Sequence, residues 1–210
     1  STLAGLAVAG PGRAALTGAR EIVERRTQHA KLFDLGGRRY RVVANVGPLH
    51  FREDPDDSRE GWKEIDRTVR AAAGSAGHDF ECVTNGYQVK VWNRTPDSGV
   101  WCAAEFRYRK RWFRLAPVAL VYRNAAGEAQ TVATPKAVPA VLEGDAVWWR
   151  GVFGTGLDFG YEVLGGSFRK LLRIESREAL PAPKIGTTGL RLALVFSFAW
   201  DNALSPDTGL

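Results

Sequence analysis

The stretch Phe33–Asp54, FDLGGRRYRVVANVGPLHFRED, decides how the rest of this chain is read. Within RRYRVVANV, the residues Tyr40, Val42, Ala44 and Val46 fall on one side of an extended chain, and Arg39, Arg41 and Asn45 on the other. Period two marks a half-buried strand with one wet face. Gly36-Gly37 before it signals a hairpin turn, and Gly47-Pro48 ends it. The arginines are therefore expected to alternate with core residues because the strand has an outer face, and no groove is needed to explain them.

The same beat recurs along the chain. YQVKVW (Tyr87–Trp92) follows an Asn85-Gly86 turn signal, and Ala103–Leu115 reads as a hairpin with Lys110-Arg111 at its tip. Ala119–Thr134 gives two strands about Asn-Ala-Ala-Gly, and Ala140–Trp149 a hairpin closed at Glu143-Gly144-Asp145. LDFGYEVL and FRKLLRI pair about Gly165-Gly166, the loop Pro181–Gly189 carries the chain across, and Leu190–Trp200 reads as the most buried strand. Short strands with turn signals at this spacing predict an all-β fold, an antiparallel β-sandwich of jelly-roll-like character. Residues 31–210 form that domain, with two sub-sheets dividing near 135–140. Residues 1–30, small and rich in Gly and Ala, read as an extended or short helical arm, with a short helix expected around Ala14–Arg26.

With 210 residues, 45% hydrophobic and 25% charged, the chain can bury a core. Its net charge of +6 permits acidic partners without choosing among them. The charge is uneven: residues 51–66 carry three basic and seven acidic side chains, and residues 105–114 five basic and one acidic. Complementary patches of this kind suit docking to a copy of the chain or to a patterned neighbour. Leu3–Gly10 is too short to span a membrane and lacks the basic flank of a secretory signal, so no membrane partner is expected. Ser1 is the small residue that permits removal of an initiator Met, and a native product made in a cytoplasm is expected. Cys82 and Cys102 lie in apolar strands, away from metal-ligand spacing, and read as reduced core thiols.

No motif carries a reaction. Asp54, Asp56, Ser58 and Glu60 alternate as oxygen ligands would, but a calcium loop of the EF-hand type needs Gly at Arg59 and Glu at Ile65. Nothing fixes the spacing of Asp66, Asp158, Glu162 and Glu175 as a catalytic carboxylate pair. Gly151–Gly156 lacks the Lys-Ser/Thr of a phosphate loop. No enzyme, cofactor or metal is therefore expected. Arg107, Arg109 and Arg111 interleave with Phe106, Tyr108 and Trp112; aromatics and arginines on opposite strand faces argue against a nucleic-acid clamp and for a solvated or protein-facing basic stripe. Trp148-Trp149 puts one indole on each face of its strand, so one is expected to be exposed as an interface anchor or a glycan platform. The interface candidates are Arg107, Arg109, Arg111, Trp148, Trp149 and the acidic loop with Asp54, Asp56 and Asp57.

Three phrases in order, RTQHAKLFDLGGRRYRVVANVGPLHFRED from Arg26, WKEIDRTV from Trp62, and GLDFGYEVLGGSFRKLLRI ending at Ile174, resemble a β-rich segment of Rhs/YD-repeat surface proteins and of tailed-phage virion structural proteins. The resemblance covers most of the chain, lacks the repeat array of the Rhs proteins, and implies a β-sandwich module without catalytic residues. It implies a virion protein, made in the host cytoplasm, that decorates the capsid or forms part of the tail. Its partners would be other virion proteins and copies of itself; the alternative is an adhesin module contacting host glycans.

Overall fold

The computed structural model describes residues 18–54, 56, 57 and 59–201. The large sheet is a meander of β6 (Arg70–Ala71), β7 (Phe80–Cys82), β8 (Gln88–Arg94), β9 (Trp101–Tyr108), β10 (Arg111–Arg123) and β11 (Ala129–Ala133), with β16 (Arg191–Trp200) returning to pair with β10. The smaller sheet is a second meander of β12 (Ala140–Glu143), β13 (Ala146–Trp149), β14 (Leu157–Val163) and β15 (Phe168–Ile174). All these pairings are antiparallel, and the smaller sheet begins at Ala140.

The two sheets face each other across one apolar core, as a sandwich requires. In β14, Leu157, Phe159, Tyr161 and Val163 point inward while Asp158, Gly160 and Glu162 point out. They meet Val89, Val91, Cys102, Ala104 and Leu115 of the large sheet. Hydrogen bonds tie the layers: the Trp149 indole N–H donates to Asn93 Oδ1 (3.0 Å), and the Tyr161 hydroxyl donates to the Cys102 carbonyl (3.1 Å). Asn93 Oδ1 also accepts the Ala140 N–H at 2.9 Å, so this amide is spent inside the fold.

Strand β10 shows how one proline is accommodated. Its residues Arg111–Leu115 pair with β9 and Leu120–Arg123 with β11, leaving Pro117 in the gap between those two partners. The register with β16 shifts between Pro117 and Ala119, as expected where a residue without an N–H interrupts a ladder.

Before the sandwich come two small sheets. One contains β1 (Arg20–Glu21), β2 (Ala30–Asp34) and β3 (Tyr40–Ala44); the other pairs β4 (His50–Phe51) with β5 (Lys63–Glu64). They are joined by the Leu49 and His50 N–H groups donating to the Gln28 carbonyl (2.7 and 3.2 Å). The described part of the expected arm is thus a strand, a 3-10 turn at Val23–Arg25 and the approach to β2, in place of a helix; Ala14–Thr17 lie outside the described residues.

Two expectations about burial are corrected. Strand β3 has the predicted period, but Tyr40, Val42 and Val43 are 59, 64 and 41% exposed, and Val46 beyond it is fully exposed. The period came from a hairpin outside the sandwich, whose apolar side chains meet no second layer among the described residues. Strand β16, read as the most buried, is an edge strand paired only through β10; Leu192, Leu194 and Phe196 reach the core, while Phe198 and Trp200 are 56 and 41% exposed.

Gly160 sets a close approach within the smaller sheet. A Cβ there would lie 2.8 Å from two Trp148 ring atoms and from the Val147 carbonyl oxygen. Gly160→Ala is expected to lower unfolding stability by about 1–3 kcal/mol through overpacking, read from urea denaturation. An unchanged midpoint contradicts this packing.

Candidate functional site

The basic and acidic candidates find each other within the chain. Arg109, at the turn between β9 and β10, has φ of 57°, a left-handed conformation uncommon for a residue with a side chain. This turns it out of strand alternation toward the acidic loop, where its Nη2 lies 2.7 Å from Asp56 and 4.0 Å from Asp54. Asp57 pairs with Arg59 at 3.1 Å, and the bonds from Arg59 hold its carboxyl below the usual range. Arg107 donates to Glu105 (2.6 Å), and Arg111 lies 3.8 Å from Asp201. Asp56 thus meets Arg109 of its own chain, while the Asp54 and Asp56 side chains stay 66 and 76% exposed.

The tryptophans are corrected as well. Trp149 is fully buried between the sheets and Trp148 is 8% exposed. Trp148 does lie on the outer face, but Arg150 (5.0 Å) and Arg173 (4.4 Å) stack over its ring. Asp158 holds both cations, Arg150 at 2.7 Å and Arg173 at 3.9 Å. No open indole platform exists at this pair. Cys82 and Cys102 are buried free thiols, and burial pushes the Cys82 pKa up to about 11. Among the described residues, no cluster of three His, Cys, Asp or Glu is placed to hold a metal ion.

A cleft of about 400 Å³ opens where the small N-terminal sheets meet the sandwich. It is built by the phrases that carry the sequence resemblance. GPLHFR contributes Pro48, His50, Phe51 and Arg52; WKEID contributes Trp62 and Ile65; the β14–β15 turn contributes Gly165 and Gly166. Gly86, Tyr87 and Tyr108 come from the large sheet and its loops. The glycine turn fits closely, since a Cβ on Gly166 would come within 3.0 Å of the Pro48 ring. Tyr87 fastens the turn by donating to the carbonyls of Leu164 (2.8 Å) and Ser167.

His50 is fully buried in this wall. Its Nδ1 lies 2.7 Å from the Thr27 carbonyl, which can only accept, so Nδ1 carries the proton and Nε2 presents a lone pair. Among the described residues that Nε2 has no hydrogen-bond partner, and neither does the buried Nε–H of Arg52. The Arg52 guanidinium stacks over the Trp62 ring at 4.4 Å. Sequence reasoning used these residues for a resemblance and did not single out His50 and Arg52 as a site. Their spacing of two along an extended strand, which puts both on one face, was the available signal.

No family model, curated protein or solved structure compared with this chain matches it.

Burial holds the His50 pKa below its ordinary value of 6.5; the bond to Thr27 opposes this, Arg26 and Lys31 add to it, and Glu21 acts the other way. The unfolded chain therefore takes up a proton near pH 6.5 that the folded chain takes up only at lower pH. This contribution to stability is fully present above pH 6.5 and is lost as pH falls through the folded pKa. Thermal unfolding scans are expected to show Tm falling from about pH 7 to about pH 5.5, with a flatter profile for His50→Gln. Identical profiles for the two proteins contradict a buried neutral imidazole.

Proposed function

We propose that this chain is a non-enzymatic structural protein of a tailed-bacteriophage virion, acting through contacts with copies of itself and with other capsid or tail subunits. The observation that carries this reading is strand β3. Asn45 donates to the His29 carbonyl (2.9 Å) and Leu35 to the Arg39 carbonyl (2.9 Å), which turns the odd-numbered positions of this strand toward β2. By alternation, Tyr40, Val42 and Ala44 present their backbone groups outward from an edge without a partner strand among the described residues. The same residues carry exposed apolar side chains. An unblunted apolar edge is a template for strand addition by a neighbouring subunit.

A second copy suits this edge. Antiparallel pairing about Val42 sets Arg41 opposite Val43 of the second copy, Arg39 opposite its Asn45 and Tyr40 opposite its Ala44, so no arginine faces an arginine. Such a contact is small, and repetition over a particle supplies the avidity that one contact lacks. The ordered phrases between Arg26 and Ile174 support the virion setting.

Sedimentation velocity is expected to show concentration-dependent self-association that Val42→Lys abolishes, because a charge on an exposed edge opposes strand addition. Electron microscopy of particles carrying the labelled chain is expected to place it on the capsid or tail. A protein that stays monomeric at every concentration and binds no particle overturns the proposal.

A further inference from the structure

We propose that the cleft between the N-terminal sheets and the sandwich binds an acidic sugar, whose carboxylate is received by Arg52 and whose hydroxyl donates to Nε2 of His50. Two residues lining one cleft carry groups of opposite kind that are unmet among the described residues: a lone pair on His50 and an N–H on Arg52. A ligand that satisfies both must bring a donor and an acceptor. Two residues of extended strand separate their Cα atoms by about 7 Å, a span bridged by one six-membered ring bearing a carboxylate and hydroxyls.

The surroundings restrict the ligand further. Asp57 feels the Arg52 charge but pairs with Arg59 at 3.1 Å. Stacking on Trp62 fixes the plane of the Arg52 guanidinium, as bidentate reception of a carboxylate requires. Tyr87 spends its hydroxyl on backbone carbonyls and offers the cleft a ring, and Tyr108 stands half exposed beside it. Aromatic rings suit the C–H faces of a sugar, and about 400 Å³ lies within the range of small-molecule sites. A proton-free inorganic anion such as sulfate would answer Arg52 but set its own lone pairs against His50 Nε2. A hydrocarbon would answer neither group. This site is separate from Trp148 and Trp149, whose rings are covered.

The test titrates the whole chain calorimetrically with a galacturonic-acid trisaccharide, its methyl ester and sodium phosphate, and follows the imidazole nitrogens of His50 by NMR in protein labelled with nitrogen-15 histidine. The expected result is saturable one-to-one binding of the acid trisaccharide. Esterification or Arg52→Gln is expected to weaken it by about tenfold or more, the effect of losing a hydrogen bond to a charged group. The His50 Nε2 resonance of the unmutated protein is expected to shift on binding, which reports the site without relying on any variant. Absence of saturable binding overturns the proposal, as does equal binding of the ester, equal binding by Arg52→Gln protein, or a His50 resonance that does not move. Phosphate binding with the same shift also overturns it, because it would make the site a simple anion site.

Discussion

The fold depends on a match of large against small across the sandwich. The smaller sheet supplies Trp149, Phe159 and Tyr161; Trp149 stacks on Phe159, and both meet the Tyr161 ring edge-to-face. The large sheet answers at its centre with Cys102, Ala104, Val89 and Val91. Close packing of this kind leaves little room on either side, because bulk on one layer requires its absence on the other. The two polar tips in that core are each satisfied by the opposite layer, Trp149 by Asn93 and Tyr161 by the Cys102 carbonyl. Cys102 has φ of 57°, a conformation disfavoured for a residue with a Cβ, at the position whose carbonyl receives the Tyr161 hydroxyl.

Outside that core, charge is largely closed on itself. Glu105, buried on the outer face of the large sheet, lies between Arg107 and Arg114, and Arg114 reaches on to Asp97 (2.8 Å), whose pKa its hydrogen bond lowers to about 2. The same Arg114 stands over the Trp92 ring at 4.8 Å. Arg150, Asp158 and Arg173 make the corresponding cover on the smaller sheet. Such networks tie the arginines of the basic stretch to carboxylates of the same chain, while the side chains of Arg107, Arg109 and Arg111 stay 44, 40 and 51% exposed. Two regions escape this closure, the exposed apolar edge of β3 and the cleft with its unmet groups on His50 and Arg52. Both involve the first part of the chain, which precedes the sandwich.

Strand periodicity and turn residues determined much by themselves. The pairs about Asn124–Gly127, Gly144 and Gly165-Gly166 lie where the sequence places them, because turn chemistry and alternation are local properties. The hairpin near Lys110 is shifted by one residue, its second strand beginning at Arg111. Reduced buried cysteines also followed from their apolar neighbours.

What the sequence could not supply is which layer, if any, lies above a given face. Tyr40 and Val42 alternate like core residues and end in solvent, while one of Trp148 and Trp149 reads as exposed and Trp148, the outer one, ends beneath two arginines from positions 150 and 173. The Asp56–Arg109 pair and the meeting of His50, Trp62 and Gly165 join residues far apart in the chain. Alternation fixes that a strand has two sides, since the backbone dictates it residue by residue. Only the packing of whole sheets decides which side is covered, because coverage depends on where distant segments come to rest.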